Sequence, residues 1–320
     1  MLLSICIPTC NRSAYLRRTL DSIVSQSAWA EGECEIVISD NGSPDDTWTV
    51  ISEFSRKFPQ LIRGLRQDPP IHSHFNFEAA LRMGQGEFLK LNNDTLAWRE
   101  GALAEYLALA RQVRGEADLI LTPNARQAPV YGRIGVRCAD LDEVLRQCSY
   151  FLTWIGTVCF RREAFLALPD PSRDPEKCLT QTDMILRMVS AGATAFADGR
   201  IFFDSMPVPR KNPKSLIQVF SINFPDMVGG YVPEKIRRGT FAKVKRSLFR
   251  QFIIPTAFDY FHEDPEMERP GYWRTTVRYH REWYFWTGFL RIAALRLLGR
   301  CFTRETLRRI KRALLGGGGG

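Results

Sequence analysis

The stretch SICIPTCNR, residues 4–12, decides the fold, because an apolar strand pattern ends there at a polar turn. Leu16, Leu20 and Ile23 then recur at the spacing of one helix face. The same order of apolar run, polar turn and amphipathic helix repeats along the first 122 residues. It predicts five strands, at Leu3–Ile7, Glu35–Ser39, Leu61–Leu65, Glu87–Leu91 and Asp118–Thr122.

This alternation predicts an α/β fold with a mostly parallel sheet and helices on both faces. Such sheets bind ligands beyond the carboxyl ends of their strands. Three polar turns fall at that edge, at residues 8–12, 40–43 and 92–94. We therefore expect one binding site where these turns converge. Ser43 and Pro44 also predict where the second helix begins, with Ser43 as its cap.

Changes in composition divide the chain into four predicted regions. The α/β domain comprises residues 1–205, and its second part, 123–205, contains a predicted strand at Trp154–Phe160 and a helix at Thr182–Val189. The remaining regions are a linker rich in Pro and Gly at 206–230, a basic helical region at 231–315 and a glycine tail at 316–320.

The composition is that of a globular protein, since 45% of the 320 residues are hydrophobic and 25% are charged. It excludes disordered, collagen-like and coiled-coil classes. The net charge of +9 is concentrated in residues 230–315, which hold 19 Lys and Arg against 8 Asp and Glu. A basic region of this kind favours a polyanion or an anionic membrane surface as partner.

The compartment predicted by the sequence is the reducing cytoplasm. The eight cysteines form no C-x-x-C pair and have no metal-ligand spacing with histidine. The apolar N-terminus, Leu2–Ile7, lacks the basic segment that precedes a signal-peptide core. No uninterrupted run of about 18 apolar residues occurs, so no membrane-spanning helix is expected.

The first turn contains neither the G-x-G-x-x-G motif of dinucleotide-binding folds nor a Walker motif. The three strand-end motifs instead resemble those of family 2 glycosyltransferases with the GT-A fold. The motifs are SICIPTCNR (4–12), IVISDNGSPDDT (36–47) and GEFLKLNND (86–94), the last at the family's D-x-D position. The resemblance covers roughly the first 100 residues and extends more loosely to sugar transferases of bacterial surface-polysaccharide assembly. It implies a Rossmann-like sheet in which residues 1–122 bind a nucleotide and 123–205 bind an acceptor.

The resemblance also implies a set of donor-binding residues at the three turns: Pro8, Thr9, Asn11, Arg12, Asp40, Asn41, Gly42, Asn76, Asn92 and Asn93. A strand end followed by a helix N-terminus favours a diphosphate, and Arg12 adds positive charge. The Asp40 carboxylate can accept hydrogen bonds from the base or ribose. The alternatives are that Asn11 caps the helix, that Asp40 bonds its own turn, and that Asn41-Gly42 is only a turn.

Asp94 is the predicted ligand of a divalent cation, Mg²⁺ or Mn²⁺, which would neutralise the diphosphate. The family usually has two or three acidic residues here, whereas this chain has Asn92 and Asn93 before Asp94. One carboxylate with two amides predicts weak metal binding, a ligand drawn from elsewhere, metal-independent catalysis or lost activity. The alternative is an Asn/Asp turn without a metal.

The family resemblance places the catalytic base at the start of the helix that follows the acceptor loop. The sequence QTDMILR matches that position, so Asp183 is the predicted base. The alternative is that Asp183 only stabilises the helix N-terminus. Asp174 and Glu176 are substitutes for the base. Trp154 and Gly156 are expected beneath the acceptor, unless Trp154 is a core residue.

These observations predict a glycosyltransferase that moves a sugar from a nucleotide-sugar donor to a saccharide or lipid-linked saccharide acceptor. Inversion at the anomeric carbon and a role in cell-surface polysaccharide assembly are expected from the resemblance. One rival is a non-catalytic sugar-nucleotide or membrane-binding protein with a degenerate D-x-D motif. A nucleotidyltransferase is ranked last, because its glycine- and lysine-rich N-terminal signature is missing.

The basic C-terminal region predicts peripheral contact with the inner face of the plasma membrane. Residues 237–250 carry a basic run, and Ile292–Arg304 places apolar and basic side chains on opposite helix faces. Four aromatic residues precede that segment: Trp273, Trp283, Tyr284 and Trp286. The alternative is a solvated basic face whose apolar stripe packs on the body. No nucleic-acid recognition motif accompanies the charge, so nucleic acid is not an expected partner.

Overall fold

The computed structural model of the chain describes residues 1–123, 135–208, 218–255, 278–288 and 290. The strands are β1 (Leu3–Thr9), β2 (Cys34–Asp40), β3 (Ile62–Arg66), β4 (Phe88–Leu91), β5 (Leu96–Trp98), β6 (Leu119–Leu121), β7 (Val136–Cys138), β8 (Val158–Arg161), β9 (Ala195–Ala197) and β10 (Phe203–Ser205). The helices are α1 (Ser13–Val24), α2 (Thr47–Lys57), α3 (Ser73–Met83), α4 (Ala102–Gln112), α5 (Leu141–Cys148), α6 (Arg162–Leu166), α7 (Thr180–Ser190), α8 (Phe224–Gly229) and α9 (Arg238–Leu248).

The main sheet has eight strands in the order β3-β2-β1-β4-β8-β6-β9-β7, and β5 pairs with β10 separately. Strands β1 to β4 run parallel to one another. Strand β8 is antiparallel to both β4 and β6, so β6 runs in the same direction as β1. The predicted α/β fold with a mostly parallel sheet is therefore confirmed. Thr9, Asp40 and Leu91 end their strands at one edge of this sheet.

The central strands β1 and β2 are buried along their whole length. Burial on both faces explains their nearly continuous apolar sequences. The polar exceptions are paired, since Ser4 donates to Glu35 (2.6 Å) and Arg63 donates to the same carboxylate (2.8 Å). These bonds hold the pKa of Glu35 below its usual value against the opposing effect of burial, which is the largest single influence.

Two local predictions were wrong. Helix α2 begins at Thr47 rather than at Ser43-Pro44, because the Ser43 hydroxyl bonds Asp40 and so belongs to the preceding turn. The predicted strand Trp154–Phe160 is a strand only from Val158 onward, and short 3₁₀ turns precede it. The predicted helix Thr182–Val189 is confirmed as α7.

The chain divides into two compact units, residues 1–210 with 226–244, and 211–225 with 245–320. Residues 218–229, predicted as linker, form helical turns because Phe224 and Val228 are buried there. In the second unit the Phe249 ring lies against those of Tyr279 and Tyr284. Trp273 and the amphipathic segment Ile292–Arg304 lie outside the described residues. Among the described helices, none combines the length and apolar character needed to cross a bilayer.

Candidate functional site

The three predicted turns are joined by hydrogen bonds at the carboxyl edge of the sheet. The Thr9 hydroxyl donates to the Asp94 carboxylate (2.8 Å), and the Asn41 amide N–H donates to the Thr9 carbonyl (2.9 Å). Asn76 is buried between β1 and β2, where its side-chain NH₂ donates to the carbonyls of Ser39 (2.9 Å) and Thr9 (3.4 Å). The predicted convergence of distant segments is therefore present.

The first turn is held to the second by its backbone. Asn11 has a φ of +54°, a left-handed conformation that asparagine tolerates better than most residues. This geometry directs its N–H to the Ser43 hydroxyl (2.8 Å), and the Arg12 N–H donates to Thr47 (2.9 Å). Arg12 itself occupies the cap position of α1, without a capping side-chain bond, so Asn11 is not the helix cap.

Asp40 is fully buried and bonds within its own turn. Its carboxylate accepts hydrogen bonds from the Ser43 N–H (3.2 Å) and the Ser43 hydroxyl, and Arg66 Nε lies 3.7 Å away. Gly42 follows with a φ of +67°, and a Cβ there would lie 2.7 Å from Pro70 Cγ. The second turn is thus built around Asp40, as the turn alternative expected, and its contact with a nucleotide stays a prediction.

The Asn41 side-chain amide forms two hydrogen bonds with the backbone of Ile71. Its NH₂ group donates to the Ile71 carbonyl (2.8 Å), and its oxygen accepts from the Ile71 N–H (2.9 Å). These bonds fix the segment that leads into α3. The side chain of Asn41 therefore supports the edge of the site.

The Asn92–Asp94 turn presents one carboxylate. The Asn92 oxygen accepts from Trp98 Nε1 (3.2 Å), and the Asn93 oxygen accepts from the Thr95 hydroxyl (3.2 Å). The Asp94 carbonyl accepts from Thr19 of α1 (2.9 Å), which fixes the turn against that helix. Asp94 is therefore the charged ligand that this turn can offer.

A divalent cation fits the Asn92–Asp94 turn if the Asp94 carboxylate is its protein ligand and the other ligands come from outside the protein. Mg²⁺ sites commonly use one or two carboxylates, with substrate phosphates and water supplying the other oxygens. Asp94 meets that requirement, whereas a cage made only of protein ligands does not fit. Within the described parts of the chain, no three His, Cys, Asp or Glu side chains cluster as metal ligands. The donor's own phosphates would have to complete the coordination.

The predicted base Asp183 is paired with two guanidinium groups. It lies in the first turn of α7, is 4% exposed, and accepts a bidentate pair of bonds from Arg173 (3.0 and 2.7 Å). Arg187 Nη1 is 3.4 Å from the same carboxylate. The pairing with Arg187 could be read from its place four residues after Asp183 in the predicted helix, whereas no local pattern pointed to Arg173. These three bonds leave one acceptor site on Asp183 Oδ1, because a carboxylate has about four such sites.

The two substitutes for the base are at the surface. Asp174 accepts a bond from Lys177 (2.7 Å), and this bond is the main reason that its pKa is lowered. The Glu176 side chain is exposed and lies 4.0 Å from His72.

Trp154 is only partly buried and packs against the hydrophobic core. Its ring covers Gly156, where a Cβ would lie 2.7 Å from Trp154 Cζ2.

Sequence reasoning missed Lys90, which is fully buried in β4. Its ammonium donates to the carbonyls of Leu91 (3.0 Å) and Gly156 (2.5 Å) and lies 4.8 Å from the Phe203 ring centre. Burial lowers the pKa of Lys90 to about 7. The sequence pattern that could have identified Lys90 is a lysine inside the apolar strand FLKL, in which all four residues are buried.

Replacement of Lys90 by methionine should remove a pH dependence of stability. Unfolded lysine has a pKa near 10.4, so the unfolded chain binds more protons than the folded one between about pH 7 and 10. Stability from this group therefore rises with pH across that window. In denaturant titrations at pH 7 and pH 9, the wild type should gain roughly 2 kcal/mol relative to Lys90→Met. If the free energies of unfolding of the wild type and Lys90→Met differ by the same amount at pH 7 and pH 9, the lowered pKa of Lys90 is contradicted.

Comparisons with known proteins show what the N-terminal third of the chain is similar to. Residues 4–112 match the profile of the family described as Glycosyl transferase family 2. Abequosyltransferase RfbV from Salmonella typhimurium is 31% identical over 121 residues, which are 38% of this chain and 35% of RfbV. The chain thus aligns with about a third or less of the length of its first curated relatives.

Solved structures share the fold over most of the chain, and TarS and PcManGT are two examples. The 1–349 fragment of S. aureus TarS, in complex with UDP, has a TM-score of 0.58 at 15% identity and covers 83% of this chain and 76% of its own. Mannosyltransferase PcManGT from Pyrobaculum calidifontis, in complex with GDP-Man and Mn²⁺, has a TM-score of 0.54 at 15% identity. The match covers 98% of this chain and 79% of PcManGT. The similarity of residues 4–112 to family 2 glycosyltransferases is therefore confirmed, and the chain has their GT-A fold.

Proposed function

We propose that the protein is a glycosyltransferase that moves a sugar from a nucleotide-sugar donor to a saccharide or lipid-linked saccharide acceptor. The observation that carries this proposal is the hydrogen bond between Thr9 and Asp94, two residues that are 85 positions apart. It brings the first strand end and the D-x-D position together at one edge of the sheet. A role in cell-surface polysaccharide assembly, with inversion at the anomeric carbon, is part of the same proposal.

The donor's diphosphate would lie between the first turn and Asp94. Arg12 supplies a positive charge there, whereas the backbone N–H groups of residues 11–13 at the start of α1 donate to Ser43, Thr47 and Asp45. Asp94 would hold Mg²⁺ or Mn²⁺, which when bound neutralises charge on the departing nucleoside diphosphate. UDP in the TarS structure, and GDP-Man with Mn²⁺ in the PcManGT structure, support this class of ligand.

Asp183 would act on the acceptor. Its carboxylate takes the proton of the acceptor hydroxyl while that oxygen attacks the anomeric carbon. The bond between the anomeric carbon and the donor phosphate oxygen breaks with its electrons, and the nucleoside diphosphate leaves. Arg173 and Arg187 hold the Asp183 carboxylate in position. Direct displacement by this route inverts the configuration of the sugar.

A screen of nucleotide sugars tests the proposal. UDP-, GDP-, CDP- and dTDP-sugars are added with Mn²⁺, and we expect one of them to raise the melting temperature, because a ligand specific for the folded state stabilises it. That donor should then release its nucleoside diphosphate when incubated with the enzyme and an acceptor saccharide. If no donor in the panel changes the melting temperature or is turned over, the proposed function is wrong.

A non-catalytic sugar-nucleotide binding protein is the second candidate. It is favoured by the hydrogen bonds that occupy the Asn92 and Asn93 oxygens and by the two arginines on Asp183. The same screen separates the two candidates. Thermal stabilisation by a donor, without any release of nucleoside diphosphate, would support the binding protein.

We also propose that the second unit contacts the cytoplasmic face of the membrane, where a lipid-linked acceptor would be found. Trp283 is 59% exposed and Trp286 is 52% exposed. The guanidinium carbons of Arg246 and Arg250 lie 5.1 and 5.5 Å from the centre of the Trp283 ring. Exposed tryptophans beside arginines suit the interface of an anionic leaflet.

Vesicle flotation tests this contact. The wild type should float with vesicles that contain phosphatidylglycerol but not with pure phosphatidylcholine, and added salt should weaken binding. Trp283→Ala with Trp286→Ala should lower the vesicle-bound to free ratio about tenfold, because two interfacial rings are lost. Leu166→Ala, which removes an exposed apolar side chain from the first unit, should have no effect. Equal flotation of the double variant and the wild type would contradict the proposal.

A further inference from the structure

Lys90 is a buried lysine without an ion pair among the described residues. It is fully buried in β4, and the titratable groups that face it are the thiols of Cys6 and Cys159. Burial of an ammonium group is costly unless hydrogen bonds compensate for the lost water. Its ammonium donates hydrogen bonds to two backbone carbonyls, those of Leu91 and Gly156. An apolar side chain of similar length would fill the same space without this cost, so the ammonium group needs another explanation.

The two carbonyls belong to different parts of the proposed site. Leu91 immediately precedes the Asn92–Asp94 turn, at which the donor's cation is proposed to bind. Gly156 lies under the Trp154 ring in the loop proposed to receive the acceptor. In sequence the two carbonyls are 65 residues apart. The Lys90 ammonium therefore joins the donor side of the site to the acceptor side.

The connection continues from the acceptor loop to the proposed base. Gln181 Nε2 donates to the Thr153 carbonyl (2.7 Å), and the Thr182 hydroxyl donates to the Leu152 carbonyl (3.0 Å). Gln181 and Thr182 are the two residues before Asp183 in the first turn of α7. Side-chain hydrogen bonds, joined by short stretches of backbone, thus connect the donor turn through Lys90 and the 152–157 loop to the start of α7.

We propose that Lys90 is a positioning residue that sets the distance between the Asn92–Asp94 turn and the acceptor loop. Through the loop's bonds to Gln181 and Thr182, it also sets the position of Asp183 relative to the donor. This inference rests on the proposed function for its catalytic consequence, but not for its structural one. Small errors in the placement of reacting groups are costly, and a shift of about 1 Å can reduce a rate about 100-fold.

The first test measures hydrogen exchange in the protein without ligand. In Lys90→Met the peptides that cover residues 152–158 should exchange about tenfold faster than in the wild type, because Gly156 loses its bond to the Lys90 side chain while the backbone pairing of β4 with β8 remains. Exchange in β2 should not change. Cys6→Ala is the matched control, since it alters a buried neighbour of Lys90 and leaves both carbonyl bonds in place. Unchanged exchange of residues 152–158 in Lys90→Met would overturn the proposal.

The second test separates positioning from general damage. In Lys90→Met, kcat for transfer should fall about 10- to 100-fold, while the affinity for the donor's nucleoside diphosphate, measured by calorimetry with Mn²⁺, should change less than twofold. A parallel loss of nucleotide affinity, or an unchanged kcat, would overturn the positioning role.

A second variant keeps the test decisive if Lys90→Met does not fold. Gln181→Met combined with Thr182→Val cuts the next link of the same connection, and it should reproduce both the faster exchange of the loop and the lower kcat. Wild-type behaviour of this double variant would count against the proposed connection. If the wild type transfers no sugar from any donor, the proposed function fails, while the exchange experiment still decides whether Lys90 anchors the loop.

Discussion

Asp94→Asn should reduce the rate of sugar transfer about 1000-fold. The substitution keeps the size of the side chain and an oxygen that can accept the Thr9 hydrogen bond, but it removes the charge that would hold the divalent cation. Stabilisation of a departing phosphate group by a cation is worth several kcal/mol in comparable sites, so its loss has a large effect on rate. Release of nucleoside diphosphate from the donor, measured across a range of Mn²⁺ concentrations, checks this expectation.

The control for Asp94→Asn is Asp46→Asn, which removes an equal charge from an exposed residue just before α2. It should leave transfer within twofold of the wild type. High Mn²⁺ should restore part of the activity of Asp94→Asn, because weak binding can be offset by concentration. Wild-type kinetics in Asp94→Asn at every Mn²⁺ concentration would show that Asp94 does not hold a catalytic cation.

Asp183→Asn should lower kcat between about 100- and 10,000-fold, the range expected when a general base is lost. Asparagine keeps the size of the side chain and one oxygen that can accept a hydrogen bond from Arg173, although its NH₂ group cannot accept the remaining guanidinium N–H groups. It cannot take a proton from the acceptor hydroxyl. Binding of nucleoside diphosphate should not change, because Asp183 is assigned to the acceptor and not to the donor. Transfer kinetics and calorimetry on the same preparation give the two readings.

Asp174→Asn is the matched control, since Asp174 lies next to Arg173, is paired with Lys177 and is one of the two predicted substitutes for the base. It should behave as the wild type. If Asp174→Asn is inactive while Asp183→Asn is active, the roles of the two residues are reversed. If both variants transfer sugar at the wild-type rate, neither carboxylate is the base.

The positions of the three turns were predictable because each follows a buried parallel strand. The ends of such strands meet at one edge whatever lies between them in sequence, so Thr9 and Asp94 are neighbours. Asp40 also fell at the expected edge, but periodicity carried no information about the Ser43 hydroxyl that bonds it. Because of that bond, α2 begins at Thr47 and not at the predicted Ser43-Pro44.

Two contacts on the acceptor side, that of Arg173 with Asp183 and that of Gly156 with Lys90, were beyond prediction for a different reason. Arg173 precedes Asp183 by ten residues, and the irregular segment between them has no period from which a contact can be read. The antiparallel strand β8 pairs with β4, a strand about 70 residues earlier, and so places Gly156 beside Lys90. Contacts of this kind depend on tertiary packing rather than on local pattern.

A crystal structure with the stabilising nucleoside diphosphate and Mn²⁺ tests the central claim most directly. The anomalous signal of manganese should lie within coordination distance of an Asp94 oxygen, with the diphosphate between it and the turn at residues 8–12. The base or ribose should lie against the turn at residues 40–43. A nucleotide bound elsewhere on the protein, with these three turns making no contact to it, would contradict the account.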